Sequence, residues 1–142
     1  MKPTITMNNV CAVDTNILIF LHDEVNTSKK EKAENLLSDN PVVSSQVISE
    51  YLNTMKRLFS PSKSKLDIIL ECAEIIKDCN VVPVLPSTLF LASTLIKRYD
   101  FQMFDSIVVA ASIQAGCSIL YSEDMHNNLV VNNTLTIINP FI

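Results

Sequence analysis

The sequence predicts one α/β domain over residues 1–142: three layers, α/β/α, around a mostly parallel sheet of five strands. Two observations carry that prediction. Short β-like runs alternate with helical patterns from one end of the chain to the other, which is how βαβ units and a helix-covered parallel sheet read in sequence. The chain has 142 residues, 48% of them apolar, enough for one core and too few for two domains. No internal repeat or linker interrupts it.

The elements follow in order. Residues 10–13 read as a strand and 16–22 as a helix. A second helix covers 28–37, opened by a Ser28 cap with Glu31 three residues on. Residues 41–44 are strand-like. From 46 to 59, Val47, Ile48, Tyr51, Leu52, Met55, Leu58 and Phe59 recur at helical spacing, giving an amphipathic helix that Ser60-Pro61-Ser62 breaks. Another helix runs 65–77, with Leu66, Ile69, Leu70, Ala73 and Ile76 on one face. Pro83 interrupts the strand 81–85 and places it at a sheet edge. Ser87, after Pro86, caps a helix running to Tyr99. Residues 105–115 are apolar almost all round, so that helix must be covered on several sides, and Gly116 ends it. Strands 118–121 and 135–138 complete the domain.

Composition removes several function classes. A single glycine rules out Gly-rich phosphate loops and the G-x-S-x-G nucleophile elbow. Eleven basic against fifteen acidic residues give a net charge of −4, so no general attraction to nucleic acid or anionic lipid exists and any such binding must be local. The longest uncharged apolar stretches, 17–21 and 107–111, are far shorter than the roughly 20 residues a membrane helix needs. The opening Met-Lys-Pro-Thr-Ile-Thr lacks the apolar run of a secretory leader, so a cytoplasmic protein is expected. Cys11, Cys72, Cys79 and Cys117 show no C-x-x-C spacing and read as small buried hydrophobes of a reducing compartment.

In open α/β sheets the functional crevice lies beyond the carboxyl ends of the strands. Asp14 directly follows the first strand, and Asp124 follows the 118–121 strand. Asp105 opens the apolar helix, and Glu50 lies one turn into the helix after 41–44. All four point to one rim. On its helix Glu50 shares a side with Gln46, Asn53 and Arg57, opposite the apolar arc, a face free for a site or turned to solvent. Singly, Asp14 and Asp105 read equally as helix caps, Asp124 as a turn residue and Glu50 as a solvated helix position. Together, four carboxylates on one rim repel unless divalent cations neutralise them. Oxygen ligands of this kind suit Mg²⁺ or Mn²⁺. His22 and His126 lack the paired spacing of zinc ligands.

Asp14-Thr15-Asn16, Ser45 through Asn53, Phe104-Asp105-Ser106 with the apolar run after it, Leu120 through Met125, and Ile138-Asn139-Pro140-Phe141 resemble, in order and spacing, the PIN-domain ribonucleases. The nearest branch is similar to VapC-type toxins of toxin-antitoxin pairs, and the resemblance spans residues 10–141. It implies a metal-dependent endoribonuclease with Asp14, Glu50, Asp105 and Asp124 around Mg²⁺ or Mn²⁺, supported by Asn16 and Ser122. It further implies an RNA substrate, a cognate antitoxin and a homodimer. Phe104 stands where such toxins often carry tryptophan, and Asn127, Asn128, Asn132 and Asn133 make the last loop atypical. Among the local cations, Lys29, Lys30, Lys32, Lys56, Arg57, Lys97 and Arg98, the Glu50 face singles out Arg57 for a phosphate contact. Two other readings compete: a domain of this fold that binds protein or RNA without cleaving, and a phospho-acceptor receiver domain. The receiver pattern needs a lysine after its last strand, and residues 137–140 supply none.

Overall fold

A computed structural model describes residues 10–142, so the opening Met-Lys-Pro-Thr-Ile-Thr lies outside the described residues. Twelve elements appear in order among them: β1 (Cys11–Val13), α1 (Thr15–Phe20), α2 (Thr27–Leu37), β2 (Val42–Ser44), α3 (Ser45–Phe59), α4 (Lys65–Ile76), β3 (Asn80–Val82), α5 (Pro86–Tyr99), α6 (Met103–Gln114), β4 (Ile119–Tyr121), β5 (Val130–Val131) and β6 (Leu135–Ile138). They build the expected α/β architecture. The sheet has six strands in the order β3-β2-β1-β4-β6-β5, all parallel except β5, which runs antiparallel to β6.

The sixth strand is the one addition to the five expected. It is two residues long and is held by a hairpin in which Asn132 and Asn133 both take positive φ, 51° and 58°. That is the conformation a tight turn between right-twisted strands demands, and asparagine tolerates it.

The connections explain the layers. Crossovers β1 to β2 and β2 to β3 step one way along the sheet, whereas β3 to β4 steps back over β2 and β1. Right-handed crossovers then put α1–α4 on one face and α5–α6 on the other. The packing agrees, with α1 against α2 and α3, α3 against α4, and α5 against α6. Residues Ser106 to Ser112 of α6 are buried without a break, which is why that helix is apolar all round. Val13, Ile17, Leu18, Val43, Val47, Tyr51, Leu95, Val109, Leu120 and Ile137 form the centre of the core.

Several boundaries and caps differ from the sequence expectation. Asn26, not Ser28, caps α2, its side chain accepting from the Lys29 N–H, because Asp23 Oδ1 takes the Val25 and Asn26 N–H groups and turns the chain earlier. Pro86 occupies the first turn of α5, where its missing N–H costs nothing, and the Thr88 hydroxyl, not Ser87, serves that end by accepting from the Leu85 N–H. Asp105 is not a cap: it sits in the first turn of α6 behind Gln102. β3 is an edge strand, as Pro83 required, and Gly116 follows α6 at φ +81°. All four cysteines are free thiols.

Candidate active site

The sheet topology fixes where a site can form. From β1 the chain leaves toward β2, while β4 flanks β1 on the other side, so a crevice opens beyond the carboxyl ends of β1 and β4. Asp14 is the first residue after β1, and Ser122, Glu123 and Asp124 follow β4. The helices α3 and α6 meet above that end and bring Glu50 and Asp105 to it. One cavity of about 360 Å³ is lined by Asp14, Glu50, Asp105 and Asp124 together, with Asn16 and Arg57 on its wall.

Asp14 is the deepest of the four, 5% exposed. It caps α1, accepting from the Thr15 N–H at 2.8 Å, and also accepts from the Ser122 hydroxyl at 2.8 Å and Asn16 Nδ2 at 3.4 Å. Its carboxyl is pushed up to about 6: burial raises it most, the Ser122 and Thr15 hydrogen bonds pull it back, and the Asp105 and Glu50 charges push it further up. Asp105 is also held above the usual carboxylate range, first by burial and then by Glu50 and Asp124. Glu50 accepts from the Thr15 hydroxyl at 3.2 Å.

Asn16 ties the acids to one another. Its Nδ2 donates toward Asp14, Ser122 and Asp124 at 3.2 to 3.4 Å, while its Oδ1 accepts from the Glu123 N–H at 3.0 Å. Buried Ser122 accepts from the Asp124 N–H at 3.2 Å. Two neutral side chains therefore set the positions of two carboxylates carried by different strands.

Sequence reasoning missed part of this wall. Thr15 and Thr54 line the cavity, the latter one helical turn after Glu50, whereas Gln46 and Asn53 of the same polar face do not. Glu123 also lines it, and Lys29 Nζ is paired to that carboxylate. Lys29 lies 4.6 Å from the Phe20 ring centre and 5.2 Å from that of Phe141, so α2 is fastened to the loop carrying Asp124. The spacing of Lys29 from Glu123, 94 residues, left no local signal. Away from the site, His22 is a core histidine, hydrogen-bonded to buried Tyr51 and facing Glu71.

Among the described residues no three His, Cys, Asp or Glu side chains stand as a direct metal cage. The donor set is nonetheless all carboxylate, partly buried and mutually repelling, with no lysine on the cavity wall. Such a set fits a small hard cation that keeps several waters and is bound through one or two carboxylates, and it does not fit zinc.

The PIN domain family model matches residues 11–128 of the chain. No curated protein matches it by sequence. Among solved structures it is similar to a toxin-antitoxin complex from Klebsiella pneumoniae (15% identity, TM-score 0.68, covering 94% of this chain and 98% of that one). It is also similar to VapC20 of Mycobacterium tuberculosis, described as a sarcin-ricin loop cleaving toxin (17%, 0.64, 80% and 89%), and to FitAcB of Neisseria gonorrhoeae (13%, 0.66, 93% and 99%). At these identities the likeness is one of fold.

Proposed function

The chain belongs to the PIN-domain family, and on that premise we propose that it is a metal-dependent endoribonuclease acting as the toxin of a toxin-antitoxin pair. The observation that carries the reading is the single cavity into which four separated sequence motifs deliver Asp14, Glu50, Asp105 and Asp124, with Arg57 as the one cation on its wall. Two structural neighbours, a toxin-antitoxin complex and a sarcin-ricin loop cleaving toxin, point the same way.

In this reading Asp14, Asp105 and Asp124 hold the principal Mg²⁺ or Mn²⁺, and Glu50 completes the site or orients the attacking water. A divalent ion held by these carboxylates would supply a water acidified toward neutrality and positive charge to offset that of the phosphate. The protein does the rest. Asn16 and Ser122 keep Asp14 and Asp124 in place through the hydrogen bonds above, so little reorganisation accompanies charge build-up. Arg57 takes a phosphate oxygen of the incoming strand, offsetting the acidic wall. Water adding to phosphorus as the 3′-oxygen leaves and takes up a proton would give a 5′-phosphate on one product and a 3′-hydroxyl on the other.

A toxin must be silenced, and an antitoxin arginine or lysine entering the acidic rim would occupy the cation's place. We place the protein in the cytoplasm, as a homodimer; no helix among the described residues is long and apolar enough to cross a membrane. The decisive assay is purified protein with Mn²⁺ and labelled total RNA, with EDTA and Asp105→Asn as controls and mapping of product ends. Cleavage that survives both controls refutes the reading.

A further inference from the structure

A second concavity opens on the acidic centre. It measures about 330 Å³, lies on the flank away from Arg57, and is lined by Tyr99, Phe101, Gln102 and His126 while sharing Asp105 and Asp124 with the first cavity. Those two carboxylates form the ridge between the pockets. A polynucleotide whose scissile phosphate sits on that ridge must place one neighbouring nucleotide on each side.

The two flanks differ in chemistry. The first has the Arg57 guanidinium. The second has no lysine or arginine among its lining residues, and its fixed charges, Asp100, Asp105 and Asp124, are all acidic. A phosphate there finds no cation among the lining residues; Arg98 lies against the Tyr99 ring, 5.5 Å from its centre, and is not one of them. An uncharged planar heterocycle meets two half-buried aromatic rings and an exposed amide.

Tyr99 and Phe101 have ring centres 5.8 Å apart at 51°. The Tyr99 ring is fixed, because its hydroxyl accepts from the Asn132 N–H at 2.9 Å. Gln102 stands at the N-cap of α6 yet makes no side-chain cap bond, and its exposed amide has no hydrogen-bond partner among the described residues. A cap position usually goes to a residue that bonds its own helix. Here the amide is open to solvent at the pocket wall.

We propose that this second pocket is a nucleobase subsite: it takes the base of one nucleotide flanking the scissile phosphate, seated against Tyr99 and Phe101, with its edge read by the Gln102 amide. Stacking on aromatic side chains and hydrogen bonding to an exposed base edge is the way single-stranded RNA is read in general. The pocket volume falls in the range of small-ligand sites, roughly 300 to 1,000 Å³. Arg57 then carries the backbone on the opposite flank, and the cleavage preference resides at one nucleotide position. This inference rests on the ribonuclease reading and adds to it the element that selects sequence.

The test compares cleavage of RNAs that differ only at the nucleotides flanking the cut. Wild-type protein discriminates at one position. Gln102→Ala lowers that discrimination ratio by roughly tenfold, the order of one good side-chain-to-base contact, and Phe101→Leu weakens use of the favoured RNA by a similar factor. Gln102→Glu, which can only accept, moves the preference toward bases presenting a donor. Ratios within twofold of wild type at both positions in all three variants overturn the subsite while leaving the nuclease reading intact. A second arm does not need cleavage: 4-thiouridine oligoribonucleotides are photo-crosslinked to wild-type protein with Ca²⁺ in place of Mn²⁺. Crosslinks in peptides covering 99–102 or 125–129 support the subsite even where no RNA is cut. Crosslinks confined to residues 15–57, or none at all, refute it.

Discussion

Replacing Asp14 by asparagine should change the sign of its effect on stability with pH. Burial pushes the wild-type carboxyl up from an ordinary 3.8 to about 6. A raised carboxyl pKa means that the folded state binds the proton more tightly, so the group is harmless below the lower value and destabilises progressively as pH rises through the window between the two. Above about pH 6 the cost levels off near 3 kcal/mol, two units at about 1.4 kcal/mol each. Asparagine removes that cost. It also places an N–H₂ or a C=O where Asp14 accepts from Ser122 and Asn16, and losing one such hydrogen bond costs about 1 kcal/mol. In EDTA the variant should therefore be more stable than wild type by about 2 kcal/mol at pH 7.5, and slightly less stable at pH 4. Urea unfolding at both pH values, with m-values compared, measures this. A variant destabilised equally at pH 4 and 7.5 would show that Asp14 is stabilised where it sits, as a plain helix cap, and would refute the electrostatic argument.

Added Mn²⁺ should stabilise wild type through preferential binding to the folded state, by about 2.7 kcal/mol at a hundredfold excess over Kd, and Asp14→Asn much less; equal shifts in melting curves would remove Asp14 from the ligand set. Asp105→Asn and Asp124→Asn should each lower turnover at least about a hundredfold, the range for a central electrostatic group, measured on an end-labelled RNA. Asn16→Ala, which frees Asp14 and Asp124 from a shared donor, should weaken Mn²⁺ binding by roughly ten- to a hundredfold, read by calorimetry. Expression of the wild type should arrest growth and expression of Asp14→Asn should not; unimpaired growth with abundant active wild type would remove the toxin role alone.

What was legible in the sequence followed from local rules. Asp14 was placed because it directly follows Val13 at a strand's carboxyl end, and α6 because its run from Ser106 to Ser112 has no polar face to leave outside. What was not legible depended on distance or on a rival local bond. Asn26 displaced Ser28 as a cap because Asp23 had already turned the chain. β5 was missed because two residues carry no periodicity, although the Asn132-Asn133 pair beside it is a turn signal. The asparagine-rich loop that departs from the family pattern is in part backbone chemistry: Asn128, Asn132 and Asn133 take positive φ, and Asn127 Oδ1 accepts from the Asn139 N–H. The Thr15 contact to Glu50 and the Lys29 pair with Glu123 join residues far apart in the chain, and no spacing rule reaches them.

These long-range contacts bear on how an acidic rim survives in a folded protein. Asp14 and Asp105 are each pushed up by burial and by the charges of acidic neighbours, and Asp14 is the deeper of the two. The fold answers with neutral donors rather than cations: Ser122, Asn16 and the Thr15 N–H and hydroxyl bond the acids, while Lys29 is committed to Glu123 at the edge. A lysine among the acids would stabilise the apo state and occupy the cation's place. Neutral donors orient the oxygens yet leave most of their charge uncompensated, which is what the proposed divalent ion, or an inserted basic side chain, would require. The same reasoning separates the two flanks. Arg57 lines the first cavity, where in the proposed function it would offset a phosphate, and Gln102 lines the second, where in the proposed subsite its uncharged amide would meet a base.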